Sequence, residues 1–196
     1  RSKDIRQKNV EFWANVDDGM ATIFAENLGV NKPKTKNVKM SGRSPYVSVM
    51  ITPSLAETQK VAVLIGNRFN DEEVDRTLRA FDRSKVFYDI ISERLGSVTG
   101  RMGTKLKVTD TFTTKYPVLY DTIYVVGGEV KNQAAFNQHI VNWVQKAYKY
   151  YKPIGIASTG EKYIHATKNN NLAGVVFAKD NQHFTRDFIQ AIAKQR

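Results

Sequence analysis

From Val61 onward the chain alternates short, mostly apolar runs with amphipathic segments, and this alternation limits it to one class of fold. The runs are Val61 to Ile65, Val86 to Ile91, Thr122 to Val126, the stretch opened by Lys152-Pro153, and Gly174 to Ala178. Runs without polar alternation suit strands buried on both faces, which a parallel sheet covered by helices provides. The intervening segments read as those helices. One begins near Asp71-Glu72-Glu73, an acidic first turn that complements the helix dipole, and turns Val74, Leu78 and Phe81 inward. The longest, about Gln133 to Tyr151, lines up Phe136, Ile140, Trp143, Val144 and Ala147. A short helix is expected near Glu161 to Ala166, and a last one from about His183 with Phe184, Phe188, Ile189 and Ile192 on one face. Residues 97 to 112 alternate polar and apolar around Gly100 and Gly103, which predicts a small hairpin on the sheet's edge.

The first 60 residues have a different texture. A helix over about Asp4 to Ala14 carries Val10, Phe12 and Trp13 along an apolar edge. A second follows Asp17-Asp18, places Met20, Ile23, Phe24 and Leu28 at helical spacing, and stops at Gly29. Two such short helices cannot bury their apolar faces alone, so they are expected to lean on a further domain or partner. Residues 31–59 then carry Pro33, Pro45, Pro53 and repeated Lys, Ser, Thr and Asn, the composition of an extended connector, with Val47 to Ile51 docking as an edge strand. The expected division is a helical tail over 1–30, a linker over 31–59 and an α/β domain over 60–196.

The strand after Lys152-Pro153 ends in Ile156-Ala157-Ser158-Thr159-Gly160-Glu161, and at the carboxyl end of a parallel strand ligands and nucleophiles sit. In hydrolases a G-x-S-x-G turn of this kind strains the nucleophile into exposure; here Ser158 has the nucleophile's place, while Ile156 stands where the first glycine would be. A serine hydroxyl needs a positioned base. None is legible beside Ser158. His139 reads as a helix-packing or capping residue, His165 as a solvent-facing residue of the short helix, and His183 as the start of the last helix. Gly127-Gly128 offers oxyanion-type N–H donors, or simply a tight strand exit. After the first strand comes Gly66-Asn67-Arg68-Phe69 in place of a phosphate-binding glycine motif, and no metal-ligand spacing occurs. Tyr148, Tyr150 and Tyr151, interleaved with Lys146, Lys149 and Lys152, could stack bases, but rings flanking the core with snorkelling lysines is the reading preferred here.

The Y-D-T-I-Y-V-V-G-G strand and the K-P-I-G-I-A-S-T-G-E elbow together resemble the class I glutamine-amidotransferase-like superfamily, which includes the intracellular-protease and deglycase proteins. More specifically, Glu11-Phe12-Trp13-Ala14-Asn15-Val16-Asp17, the helix up to Gly29, Pro53-Ser54-Leu55 and the Lys60-Val61-Ala62-Val63-Leu64 strand resemble, in that order, the C-terminal region of large-subunit haem catalases. The resemblance implies a flavodoxin-like three-layer sandwich with a mainly parallel sheet. It also implies a superfamily site of cysteine, histidine and glutamate, whose positions are taken here by Ser158, Thr159 and Asn67, with Gly128 beside them. On this reading the site is degenerate and non-catalytic. The parent would be a homotetrameric catalase whose haem, axial tyrosinate and distal histidine lie upstream, in a haem domain of the same polypeptide; the chain itself would hold no cofactor. Its implied roles are stabilising the tetramer, shaping peroxide access and chaperone-like binding of unfolded clients. The alternative from another class is a Ser158-dependent hydrolase or amidase.

Composition adds limits. A net charge of +11 invites a nucleic-acid reading, but the charge is spread, +4 over residues 1–60 and +7 over 61–196. Only Lys32, Lys34, Lys36, Lys39 and Arg43 crowd together, in the expected linker. Neither nucleic acid nor membrane is therefore expected as a partner. The absence of cysteine excludes disulfides and thiolate chemistry and fits a cytoplasmic protein, and a start without methionine suggests a fragment.

Overall fold

The computed structural model describes residues 3–33, 55–165 and 173–194. The chain divides into two compact units between residues 53 and 54. The expected linker over 31–59 falls largely, and the edge strand over 47–51 wholly, outside the described residues.

The first unit is an antiparallel pair, α1 (Lys3–Ala14) and α2 (Asp18–Leu28). The Asp17 carboxylate caps α2 by accepting the Met20 N–H at 2.7 Å, and Gly29 closes it in the left-handed conformation at φ 61°. Contrary to the sequence expectation, Phe12, Met20 and Ile23 face outward. The contact runs instead through Val10, Ala21 and Ala25, with the Trp13 ring edge-on to Phe24 at 5.8 Å. Small side chains let the two backbones approach, with Phe24 and Leu28 flanking the seam while Met20 and Ile23 are left outside it.

The second unit is built on a six-stranded sheet in the order β5-β2-β1-β6-β7-β8, every pairing parallel. The strands are β1 (Lys60–Ile65), β2 (Phe87–Ser92), β5 (Asp110–Thr111), β6 (Thr122–Gly127), β7 (Ile154–Ile156) and β8 (Val175–Phe177). Because side chains alternate, Val61, Val63 and Ile65 of β1 face one layer and Ala62 and Leu64 the other. The first layer is α3 (Asp71–Arg83) and α6 (Phe184–Ala193), bringing Phe81, Phe184 and Phe188 onto Tyr124. The second is α4 (Gln133–Lys149) and α5 (Glu161–His165), with Phe136, Ile140 and Trp143 against the sheet. This three-layer sandwich explains why the core strands read as continuous apolar runs. Phe188 lies flat against Gly155 of β7, where a Cβ would come within 2.5 Å of its ring.

Two expectations are corrected. The hairpin of β3 (Gly96–Thr99) and β4 (Lys105–Val108) is a separate antiparallel ribbon, not an edge extension, and the sheet's edge is taken by the two-residue β5. The ribbon's tip is held elsewhere: the buried Asp71 carboxylate accepts the N–H groups of Met102 at 2.8 Å and Thr104 at 2.9 Å. The second concerns Lys152, which does not snorkel. Its ammonium turns inward to donate to the carbonyls of Pro117, Val118 and Tyr120, fixing a 3-10 turn (Pro117–Leu119) that the sequence did not announce.

Candidate functional site at the carboxyl ends of the strands

The strand order reverses between β1 and β6, and in open α/β sheets the crevice outside the carboxyl ends at that point is where ligands bind. Here the loops leaving the two strands close it. The Gly66 N–H donates to Gly127 O at 2.8 Å, and Asn67 and Glu129 exchange both backbone hydrogen bonds at 2.8 Å each. The Asn67 side chain is committed as well, its amide donating to Glu129 O at 3.2 Å and its oxygen accepting the Thr99 N–H of the ribbon at 3.0 Å. Gly128, at φ 133°, passes so close that a Cβ would stand 2.6 Å from Asn67 O. The glycine pair is therefore first a device for zipping two loops together. Gln133 ties the same loop from α4, donating to Gly128 O and accepting from the Val130 N–H. Tyr163 of α5 covers Gly127 and donates its hydroxyl to Asn137 at 3.0 Å, with burial pushing that phenol up to about 12.

The elbow follows β7. Ser158 is exposed, Thr159 half-buried and Gly160 buried, with the Val125 carbonyl in the place a Gly160 side chain would need. The Thr159 hydroxyl donates to Val126 O at 2.7 Å and so pins the elbow to β6. Among the described residues the non-glycine positions with left-handed backbone are Thr58, Arg68, Lys85, Tyr151 and Asp180. Ser158 is not one of them, so the strain that lifts a hydrolase nucleophile out of its turn is missing.

A carboxylate does reach the elbow, from a residue the sequence reading did not single out for the site. Glu73 Oε1 accepts the Ser158 N–H at 2.8 Å across 85 positions of chain. Glu73 stands in the first turn of α3, where Asn70 caps its own N–H at 3.3 Å. Asn70-x-x-Glu73 reads as a helix-capping pair, in which the glutamate would turn back on its own helix. It reaches forward to the elbow instead. Of the four positions the sequence assigned to the degenerate site, Asn67 and Gly128 meet in the loop zip, while Ser158 and Thr159 share the elbow. The acid that touches the elbow comes from position 73, not 67.

The histidines have other partners. His139 stacks on Phe112, centroids 5.3 Å apart and planes 4° from parallel, as its packing role predicts. His165 is exposed with Nε2 3.8 Å from Glu161, and His183 stands before α6 with its backbone N–H on Asn181. Among the described residues no hydrogen bond joins a histidine to Ser158, no three acidic or histidine side chains cluster as metal ligands would, and no helix is long and apolar enough to cross a membrane. A polar pocket of about 40 Å³ beside Glu73, lined also by Arg76, Thr77, Asn181 and Thr185, has room for a few waters only.

Residues 57–196 match the family described as the C-terminal domain found in long catalases. Catalase-2 of Bacillus subtilis (strain 168) is 36% identical over 202 residues, and a catalase of Alkalihalophilus pseudofirmus 31% over 196. Each alignment takes in 100% of this chain but only 29% of the relative's length. Catalase HPII of Mycobacterium avium is 27% identical over 212 residues. Among solved structures, a ThiJ/PfpI domain protein from Brachyspira murdochii matches with TM-score 0.55 at 16% identity, covering 71% of this chain and 96% of its own. A two-domain protein with DJ-1/ThiJ/PfpI-like and ferritin-like domains from Anabaena variabilis gives 0.50 at 20% identity, covering 56% of this chain and 33% of its own. At these identities the likeness is of fold, and that fold is the flavodoxin-like one.

Proposed function

The chain belongs to the family of C-terminal domains found in long catalases, and from that premise we propose that it is a non-catalytic part of such an enzyme. Its parent would convert hydrogen peroxide to water and oxygen at a haem held upstream, and this domain would stabilise the homotetramer. The observation that carries the non-catalytic reading is the Glu73 carboxylate on the Ser158 N–H. An oxyanion hole needs N–H donors aimed at developing negative charge. A resident carboxylate beside the elbow opposes that charge, and the Asn67 and Thr159 side chains are already spent on structural bonds. Three buried tyrosines are engaged within the fold: Tyr120 donates its hydroxyl to Asp89, Tyr163 donates to Asn137, and Tyr124 accepts from Thr77. The test is direct: the purified chain turns over neither peroxide nor generic esters and takes up no haem, and peroxide dismutation by the chain alone would overturn the reading.

The rival hydrolase would need Glu73, the carboxylate that reaches the elbow, to leave the Ser158 backbone N–H and take the serine hydroxyl instead. If the elbow hydrolyses esters or amides, Ser158→Ala and Glu73→Gln each abolish turnover. Unchanged background rates in both variants remove that reading.

Two finer roles belong to the same proposal. Chaperone-like binding is supported by the outward apolar side chains of α1 and α2, such as Phe12, 64% exposed, and Ile23, 57%. It predicts that the chain suppresses thermal aggregation of a client protein and that Phe12→Ser/Ile23→Ser does not. Shaping of peroxide access predicts a changed apparent KM for peroxide when the domain is removed from the parent.

A further inference from the structure

The end of the sheet opposite the elbow carries an exposed face that the fold leaves uncovered. The 3-10 turn presents Val118, 69% exposed, and Leu119, 57% exposed, and the chain leaving α4 presents Tyr150 and Tyr151. These two segments form one surface, because the Lys152 ammonium is bound by the turn's carbonyls and Lys146 lies over the Tyr116 ring at 6.0 Å. Tyr151 is 93% exposed and stands in left-handed backbone, φ 55°, where it ends α4: its N–H donates to Tyr148 O at 3.0 Å and the Lys152 N–H to Ala147 O at 2.9 Å. A pocket of about 280 Å³ opens next to it, between Tyr148, Tyr151, Lys152 and Gly174.

The face is rich in lysine, with Asp121 close enough to act on the Lys152 ammonium. No Asp or Glu occurs between Asp110 and Asp121, nor between Glu129 and Glu161, while Lys115, Lys146, Lys149 and Lys152 all fall in those stretches. Lys115 reaches Asp110 at 3.8 Å. Among the described residues Lys146 and Lys149 make no ion pair, which leaves both ammoniums open to an acidic partner. A second copy of the chain is a poor source: two such faces would oppose like charges, and the chain carries +11 overall. Nucleic acid would use the tyrosines and lysines but has no use for an aliphatic ridge of Val118 and Leu119. An apolar centre of tyrosine and leucine rimmed by lysine fits an acidic, apolar-centred protein surface.

We infer that this tyrosine–lysine face is where the domain docks on the remainder of its own polypeptide, through an acidic surface that lies outside the 196 residues. The inference rests on the proposed placement in a longer catalase, since the matched relatives extend well beyond the aligned part.

The experiment is zero-length carbodiimide cross-linking of the full-length protein, with the joined peptides mapped by mass spectrometry. Lys146 and Lys149 are expected to join to Asp or Glu outside the 196-residue chain. Leu119→Asp/Tyr151→Asp, which keeps both lysines, is expected to lower that yield about tenfold. Aspartate tolerates the left-handed backbone at position 151 better than most residues, and the isolated chain carrying both changes should keep its Tm, which separates lost docking from lost folding. Cross-links confined to carboxylates within this chain or to a second copy of it, or none from these lysines, overturn the inference. Failure of the placement is seen separately, as a full-length protein with neither a haem absorbance band nor peroxide dismutation.

Discussion

Ser158 and Glu73 meet through a backbone N–H and a carboxylate, so removing the serine hydroxyl breaks no bond that the fold depends on. Ser158→Ala should leave unfolding free energy within about 0.5 kcal/mol, whereas Glu73→Ala should cost about 1 kcal/mol by urea denaturation. Gly128→Ala is the severe change, because its Cβ meets Asn67 O in a backbone region that side chains avoid; the expected loss is on the order of 3 kcal/mol. Asp71 supplies the pH dependence. The Met102 N–H, and then the bonds from Thr104, outweigh burial and hold its carboxyl below the ordinary 3.8. A depressed folded value means that the stabilisation is complete above about pH 4 and drains away as pH falls through the folded value. Urea midpoints of the natural chain and Asp71→Asn should therefore converge below pH 4; a gap that stays constant down to pH 2 would contradict this. At this scale the sequence was half legible. Ser158 and the glycine pair could be picked out from local pattern, but Glu73 could not, since its capping signature is satisfied locally while its carboxylate acts 85 positions away.

At the scale of elements, mostly apolar runs marked β1, β2, β6, β7 and β8, most plainly β1, β6 and β7, which are buried under helices on both faces. What stayed hidden were pieces whose placement depends on long-range bonds. The β3–β4 ribbon has legible alternation, but its position is set by Asp71 and Asn67, and β5 is two residues long. The α1–α2 seam runs through alanines, which carry little pattern, so Phe12, Met20 and Ile23 were placed on it although they face outward, while Val10, Trp13, Phe24 and Leu28 do pack there. Helix α6 is anchored by Phe188, wedged against Gly155 and ringed by Phe81, Tyr124 and Phe184. Phe188→Ala should cost about 3–5 kcal/mol by chemical denaturation, among the largest losses for a single truncation in the domain. A loss below about 1 kcal/mol would mean that α6 is not part of the cooperative core.

For the whole molecule, the flavodoxin-like domain spends the polar groups around its elbow on holding the fold together, and on the proposed reading it acts through what it is attached to. Deleting residues 55–196 from the full-length parent tests this most directly, with peroxide turnover per haem, native mass and thermal inactivation measured on the same samples. The account predicts turnover per haem within about twofold of the intact enzyme, together with faster thermal inactivation and loss of the tetramer at lower temperature. Loss of turnover with the tetramer intact, or no change in either property, would contradict it.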